Sequence, residues 1–286
     1  MDLLQPLVNG VLLGGLYAVI ALGLSTMFGI VRLVNLAHGD LMILASYLSL
    51  LLLGSLDLNP LITILLVAPF MYGVGYLLQR LLFNPVMGKT MEPPLLVAFG
   101  VSVLLQNLLL LLFTPDARSL TTDLALKTIP LSARLNLPAI YLLDFFLSVA
   151  AILAFHAFIG YSNLGRAIRA AADDTTGAAL VGVDTRRIYA HAMGLSMLSA
   201  SLAGVLLGMT FPFYPHSGSQ YLIIGFGVII IGGLGSIKGT LAGGIILAEA
   251  QLLGAHLTRP GYQLLIGYVV LLAVLAIRPK GLFKEG

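Results

Sequence analysis

Residues 6–28 read PLVNGVLLGGLYAVIALGLSTMF, a run without one charged side chain. About 20 residues of helix cross the hydrocarbon core of a bilayer. Only helices and closed barrels satisfy every backbone group there. A barrel strand alternates polar and apolar positions over about 10 residues, and this run does not alternate, so it reads as a membrane-spanning helix. Pro6 stands where a helix can begin, and Gly10 and Gly14 offer a close-packing face. No basic segment precedes the run and no clear small-residue cleavage site follows it, so the helix is expected to be retained.

The whole chain carries the same signature. Of its 286 residues 59% are hydrophobic and 9% charged, and the mean hydropathy is +1.02, which lies outside the range of soluble globular proteins. The 32 glycines suit closely packed buried helices. A net charge of +3 implies nothing about nucleic acid by itself; position along the chain is what matters. Zero cysteines exclude disulfides, cysteine metal sites and thiol catalysis.

Working outward, a polar break over residues 32–40 is followed by residues 41–54, which are either a short span or a re-entrant segment sheltered by protein. Residues 60–83 cross again. Arg80, Lys89 and Glu92 mark a charged, cytoplasmic loop, and residues 94–113 return. Residues 114–138, with Pro115, Pro130 and Pro138, form an extracytoplasmic loop with a short amphipathic helix. Alternation of spans sets that side, against the weight of Arg118, Lys127 and Arg134. Residues 139–159, 188–211, 221–234, 241–257 and 262–277 complete the spans, and a basic tail from Arg278 to Lys284 is expected to be cytoplasmic. The predicted fold is all-α: a polytopic membrane protein with eight or nine transmembrane helices in a single domain over residues 1–286, the amino terminus outside if nine. Glycine-rich turns after the first and seventh spans hint at an inverted duplication.

Residues 163–187, NLGRAIRAAADDTTGAALVGVDTRR, hold four Arg and three Asp in a chain with charge almost nowhere else. The segment reads as a single cytoplasmic helix, with Arg166, Arg169 and Asp173 on one face and its end loosened by Gly177 and Gly182.

Three further features carry candidate chemistry. Asn35-Leu-Ala-His-Gly-Asp40 places polar backbone between two apolar runs, which membranes tolerate only where protein or a water-filled cavity receives it; Asn35, His38 and Gly39 are therefore translocation-path candidates. The competing reading, preferred for direct substrate contact, is a cytoplasmic turn in which Asp40 caps the second helix and Asn35 satisfies its own backbone. His38 has no second histidine at metal-ligand spacing. The dense glycines from Gly225 to Gly244 lack the Gly-x-x-x-x-Gly-Lys-Ser/Thr order, and Gly88-Lys89-Thr90 has Phe83 where the first glycine belongs, so no P-loop is present. Gly235, Gly239 and Gly243 recur every four residues, the spacing of a flat helix-packing face. Glu249 lies within an apolar run, where an ionisable group is a functional-site hypothesis by default. The preferred reading sets it near an aqueous end or bonded to Gln251, His256 or a neighbouring helix. Asp144, His156 and His191 lie near span ends and need no special role. No Ser/His/Asp order or carboxylate pair marks a catalytic site.

Gly14-Gly-Leu-Tyr-Ala-Val-Ile-Ala-Leu-Gly-Leu24, with Phe28-Gly29 and Asn35-Leu-Ala-His-Gly39, resembles the amino-terminal signature of the branched-chain amino acid ABC transporter permeases, the shorter of their two types. Leu164-Gly-Arg-Ala-Ile-Arg-Ala170 with Asp173 and Leu180-Val-Gly-Val183 resembles that family's cytoplasmic coupling segment. Gly232-Gly-Leu-Gly-Ser-Ile-Lys-Gly239 and Arg278-Pro-Lys-Gly-Leu-Phe283 complete the pattern. The resemblance implies a multi-pass subunit of a bacterial inner-membrane importer. Its partners would be a second permease subunit in a heterodimer, two ABC ATPase subunits, a periplasmic substrate-binding protein and membrane lipid, with no nucleic acid. ATP would be used by the partner subunits, with no cofactor or metal held by this chain. Gly165, Arg166, Arg169 and Asp173 would dock in an ATPase groove, while Asn35 and His38 fall in the first signature without a derivable chemical role. Val183 stands where isoleucine is frequent, and Asp40 where an aromatic or small residue is usual. Leucine, isoleucine and valine are the implied substrates, with urea or short amides handled by related permeases. The alternative is a stand-alone facilitator or proton-coupled carrier, in which Glu249 would matter and residues 163–187 would be only a loop. A membrane-embedded enzyme comes third. A charged helix in a chain without a P-loop favours the importer, whose energy must come from a partner.

Overall fold

Long apolar runs become long helices because a backbone without water can satisfy its polar groups only internally. The computed structural model describes residues 3–56, 58–88, 90, 92–132, 135–278 and 281–283. In chain order these form α1 (Leu4–Val31), α2 (His38–Leu56), α3 (Pro60–Leu78), a π-helical turn (Gln79–Phe83) that continues into α4 (Asn84–Val86), α5 (Glu92–Phe113), α6 (Asp123–Leu126), β1 (Thr128–Ser132), β2 (Leu135–Pro138) and α7 (Ala139–Tyr161). The second half comprises α8 (Asn163–Asp173), α9 (Thr175–Leu180), α10 (Thr185–Thr210), α11 (Gly218–Gly232), α12 (Ile237–Leu257), a 3₁₀ turn (Pro260–Tyr262) and α13 (Gln263–Ile277). Eight segments among the described residues are long and apolar enough to cross a membrane, and α11, with 15 residues, is a shorter ninth apolar helix. The chain is thus an all-α polytopic membrane protein.

The open question over residues 41–54 is decided by where α2 begins. Asn35 closes a turn on itself: its Oδ1 accepts from Ala37 N at 3.0 Å and its carbonyl from His38 N at 3.1 Å. That turn releases His38, Gly39 and Asp40 into the helix, which reaches 19 residues, a full crossing.

α1 and α10 are the most buried helices, and they meet where Ser196 Oγ donates to the Gly23 carbonyl at 2.9 Å. Each packs against one antiparallel and one accompanying helix. α12 runs antiparallel to α1, with Gly10 facing Glu249 and Gly14 facing Ile245, while α11 lies beside it through Gly225 on Leu24. α3 runs antiparallel to α10, with Gly75 on Met193 and Met197 and Gly194 on Tyr72. α2 accompanies α10 from Asn35 against Met193 to Ser46, which donates to the Gly204 carbonyl at 2.7 Å. The units α1–α2–α3 and α10–α11–α12 are therefore arranged as an inverted pair. The glycine-rich turns that hinted at duplication do not start these units. They meet each other instead, Gly29 against Gly235.

Close backbone approach holds the helices together, because lipid tails provide no hydrophobic drive for their association. A Cβ on Gly244 would lie 2.4 Å from the Gly14 carbonyl oxygen, and one on Gly243 would lie 2.3 Å from that of Val228. Gly239 likewise faces Gly232 of α11. Gly235 departs from the expected helix face: with φ +84° it lies in the turn before α12, which Ser236 caps by accepting from Gly239 N at 3.0 Å.

Residues 163–187 are also not one helix. Ser162 caps α8 through Gly165 N (2.9 Å), and Asp174 then leaves the helical region (φ −144°, ψ 100°) to cap α9 through Thr176 N (2.9 Å). Gly182 turns the chain at φ +88° and Asp184 caps α10 through Arg187 N (3.2 Å). Short acidic side chains compete with helix interiors for backbone donors, so Asp174 and Asp184 punctuate the segment and Arg186 and Arg187 open the next span.

Residues 114–138 hold the expected short helix, α6, and an antiparallel hairpin, β1–β2, that sequence reading missed. The hairpin docks on the start of α1, where Asn136 N donates to Gln5 Oε1 at 2.9 Å. The carboxyl-terminal motif folds back on α11, with Leu282 N and Phe283 N donating to the carbonyls of Ile231 (2.9 Å) and Gly232 (3.0 Å). Lys89 and Arg134 of the charged loops, and Pro279, Lys280 and Lys284 of the tail, lie outside the described residues.

Candidate functional site

The connector between α1 and α2 turns back into the protein. His38 and Asn35 are buried beside Met193 and Ser196, about 12 and 16 Å along α10 from its first residue at about 1.5 Å per residue. Asn35 Nδ2 contacts Met193 Sδ at 3.8 Å. The His38 ring lies against Gly23 between α1 and α10, and neither of its nitrogens has a hydrogen-bond partner. A Cβ on Gly39 would lie 2.0 Å from the Gly218 carbonyl oxygen, so the first turns of α2 and α11 are in backbone contact.

Asp40 does not cap α2. Its buried carboxylate turns to α5, accepting from Ser102 Oγ at 2.5 Å and from Gln106 Nε2 at 3.1 Å. Gln106 Nε2 also reaches Ser102 Oγ and Ser219 Oγ, each at 3.3 Å. The network leads from the buried Asp40 through half-buried Gln106 to the exposed Ser219 at the start of α11. Among the described residues Asp40 has no cationic partner, the ion pair present being Asp184 with Arg187. Polar side chains at such depth face protein or water rather than lipid, and Asp40 and Ser102 are buried between α2 and α5. Sequence reading named Asn35, His38 and Gly39 and missed Ser102, Gln106 and Ser219. The available signal was Ser102 and Gln106, four apart on one helix face within an apolar run.

At the end of the bundle where α7 and α10 meet residues 163–187, the four predicted coupling residues separate into two kinds. Gly165 is buried, with the Ile159 carbonyl oxygen 2.4 Å from where its Cβ would be. Arg169 donates to the carbonyl oxygens of Ile159 and Gly160, capping the open carbonyls of α7. Arg166 and Asp173 are exposed, Arg166 bonding only to Asn163 Oδ1 of its own helix. Ile168 and Ala171 bury the inner face of α8, while Leu180 and Val181 at the tip of α9 are 84% and 80% exposed. This apolar tip was not singled out as a contact.

Glu249 is half-buried against Gly10 and makes no hydrogen bond to Gln251 or His256; the partner of Gln251 is Tyr17 OH, at 2.7 Å. Asp144, read as needing no role, is fully buried and accepts from Thr210 Oγ1 at 2.7 Å, tying α7 to the end of α10. His191 pairs with Tyr72 OH at 2.6 Å, and His156 is exposed.

The family pattern described as branched-chain amino acid transport system / permease component matches residues 7–275. The chain belongs to this family. Among curated relatives, the high-affinity branched-chain amino acid transport system permease protein LivH of Escherichia coli is 31% identical over 297 residues, covering 98% of this chain and 94% of the relative. BraD of Pseudomonas aeruginosa, which bears the same description, is 31% identical over 294 residues, 98% of this chain and 95% of that one. The autoinducer 2 import system permease protein LsrC of Yersinia pseudotuberculosis is 26% identical over 211 residues, 68% of this chain and 56% of LsrC. No solved structure matches. The matched span of this permease includes both inverted units, the residue 35–40 connector and the whole of residues 163–187.

Proposed function

We propose that this permease is the membrane-spanning subunit of an ATP-driven ABC importer for leucine, isoleucine and valine in a bacterial inner membrane. It would work with a second permease subunit, two ATPase subunits and a periplasmic binding protein. It is read as a single transmembrane domain that holds no cofactor and performs no catalysis itself. The observation that carries the reading is α8–α9. This amphipathic segment stands at the end of the bundle that also gathers Arg32, Arg80, Arg186, Arg187, Lys238 and Arg278. The opposite end offers Arg118, Lys127 and Arg259. The positive-inside rule puts the first end in the cytoplasm, where an ATPase would meet Arg166, Asp173, Leu180 and Val181.

The geometry supports a route for force. Movement of α8 would pass to α7 through Gly165 and Arg169, and toward α10 through the Thr175 hydroxyl, which meets Tyr189 OH at 3.1 Å. α10 carries α2 and α3 with it. The Asp40–Gln106–Ser219 network would line the substrate route against the second permease subunit, where its exposed end could meet water rather than lipid. The branched-chain assignment is supported by the two relatives described for that transport, matched over nearly the whole chain.

Co-reconstitution with the encoded ATPases, second permease and binding protein tests the proposal. Uptake of labelled leucine is expected only with ATP and all partners, exceeding that of urea or short amides. Leucine uptake by this chain alone, driven by a proton gradient, would instead establish the carrier reading.

A further inference from the structure

Beneath α8 lies a cavity of about 230 Å³. Ile30, Ile159, Ile168 and Ile237 form its walls, one from each of α1, α7, α8 and α12. Arg169 and Asp173, one helical turn apart on α8, both border the cavity without pairing to each other. Ser25 and Thr26 of α1 border it as well. The Thr26 hydroxyl is satisfied by the Leu22 carbonyl at 2.8 Å, whereas Ser25 Oγ is fully buried without a hydrogen-bond partner. Arg169 spends one amino group on the end of α7 and keeps other N–H donors.

A cation and an anion beside a branched aliphatic wall form the complement of one ligand class. Such pockets bind by apolar contact and take their specificity from a few placed polar groups. A carboxylate matches Arg169, an ammonium matches Asp173, and a short branched side chain matches the isoleucines. Inorganic phosphate would use neither Asp173 nor the walls, and a nucleotide exceeds the volume.

We propose that this cavity binds a free aliphatic L-amino acid from the cytoplasm and acts as a product-feedback site. Its wall is shared between α8, the segment an ATPase would push, and the fixed elements α1 and the α11–α12 turn. An occupant joins these by contacts on both sides and resists displacement of α8. The inference rests on the importer reading for the side of the membrane and the identity of the product.

The test uses the full complex with its ATPases in lipid nanodiscs, without the binding protein. L-leucine, 4-methylpentanoate and 3-methylbutylamine are titrated while direct radioligand binding and ATP hydrolysis are read. Leucine is expected to bind saturably and to slow hydrolysis. Each analogue, leaving one charge of the site unpaired, is expected to bind at least about tenfold more weakly. Ala172→Phe, which fills the cavity, is expected to remove both effects, and Asp173→Asn, whose side chain the docking reading also places toward the ATPase, is expected to remove binding. The proposal is overturned if leucine does not bind, if the analogues compete equally, or if both variants bind as the parent does, which places the ligand elsewhere. Uptake with the binding protein present is measured separately. Transport of branched-chain amino acids without this binding defeats the feedback site alone, and transport of an unrelated solute defeats the importer's substrate assignment.

Discussion

Asp40 and Ser102 are joined by a 2.5 Å hydrogen bond across two spanning helices, in which the Ser102 hydroxyl donates to a carboxyl group that has no cation beside it among the described residues. A carboxyl group held this way stays in the membrane interior because hydroxyl and amide donors converge on it, and the same donors lead to the surface at Ser219. Asp40→Asn keeps the shape and removes the charge. Uptake by the reconstituted complex is expected to fall about tenfold or more, as for loss of a charge-assisted contact, with ATPase association retained. Unchanged uptake would remove Asp40 from the substrate route.

The backbone contact between α2 and α11 makes a separate prediction. Gly39→Ala would place a Cβ 2.0 Å from the Gly218 carbonyl oxygen, and Gly244→Ala would place one 2.4 Å from that of Gly14. Forcing such contacts apart costs roughly 1–3 kcal/mol, so both variants should melt earlier and extract in lower yield than the parent. Gly54→Ala, Gly73→Ala and Gly100→Ala meet nothing within 4 Å. In these helix interiors alanine should be neutral or stabilising by up to about 1 kcal/mol. Thermal unfolding in detergent compares the two groups, and equal effects would contradict the helix register.

Spans such as residues 6–28 and 94–113 were legible because crossing length and apolarity are local properties of the chain. The charged segment was legible for the same reason, but its division was not: Asp174 and Asp184 look identical to helix-face charges until the backbone donors they cap are known. Asp40 was misassigned as a cap because its partners lie 62 and 66 residues away on α5, and nothing adjacent to it points there. The inverted duplication was hinted at by the glycine-rich turns, but its units could not be located from them, since they reside in pairings such as Gly10 with Glu249 and Gly75 with Met197 rather than in repeated residues.

Arg166 and Arg169 face different partners, and charge reversal should separate them. Arg166→Glu alters an exposed side chain bonded only within its own helix turn. It is expected to weaken capture of the ATPase subunits while leaving the melting temperature of the isolated permease within error. Arg169→Glu sets a carboxylate against the carbonyl end of α7, losing a favourable contact of about 0.3–1 kcal/mol and adding repulsion. It should lower both ATPase capture and thermal stability. If Arg166→Glu retains full ATPase capture and transport, α8 is not the docking surface.

Glu249 distinguishes an ATP-driven machine from a proton-coupled one. It lies within an apolar helix, yet its side chain packs over Gly10 and forms no hydrogen bond that a proton relay would use. In the importer reading Glu249→Gln removes a charge that takes no part in coupling. ATP-dependent leucine uptake should stay within about twofold of the parent, the scatter of a surface-like substitution within ±0.5 kcal/mol. A proton gradient imposed without ATP should drive no uptake in either protein. Loss of uptake in the variant together with gradient-driven uptake in the parent would make Glu249 the coupling residue and the chain a carrier.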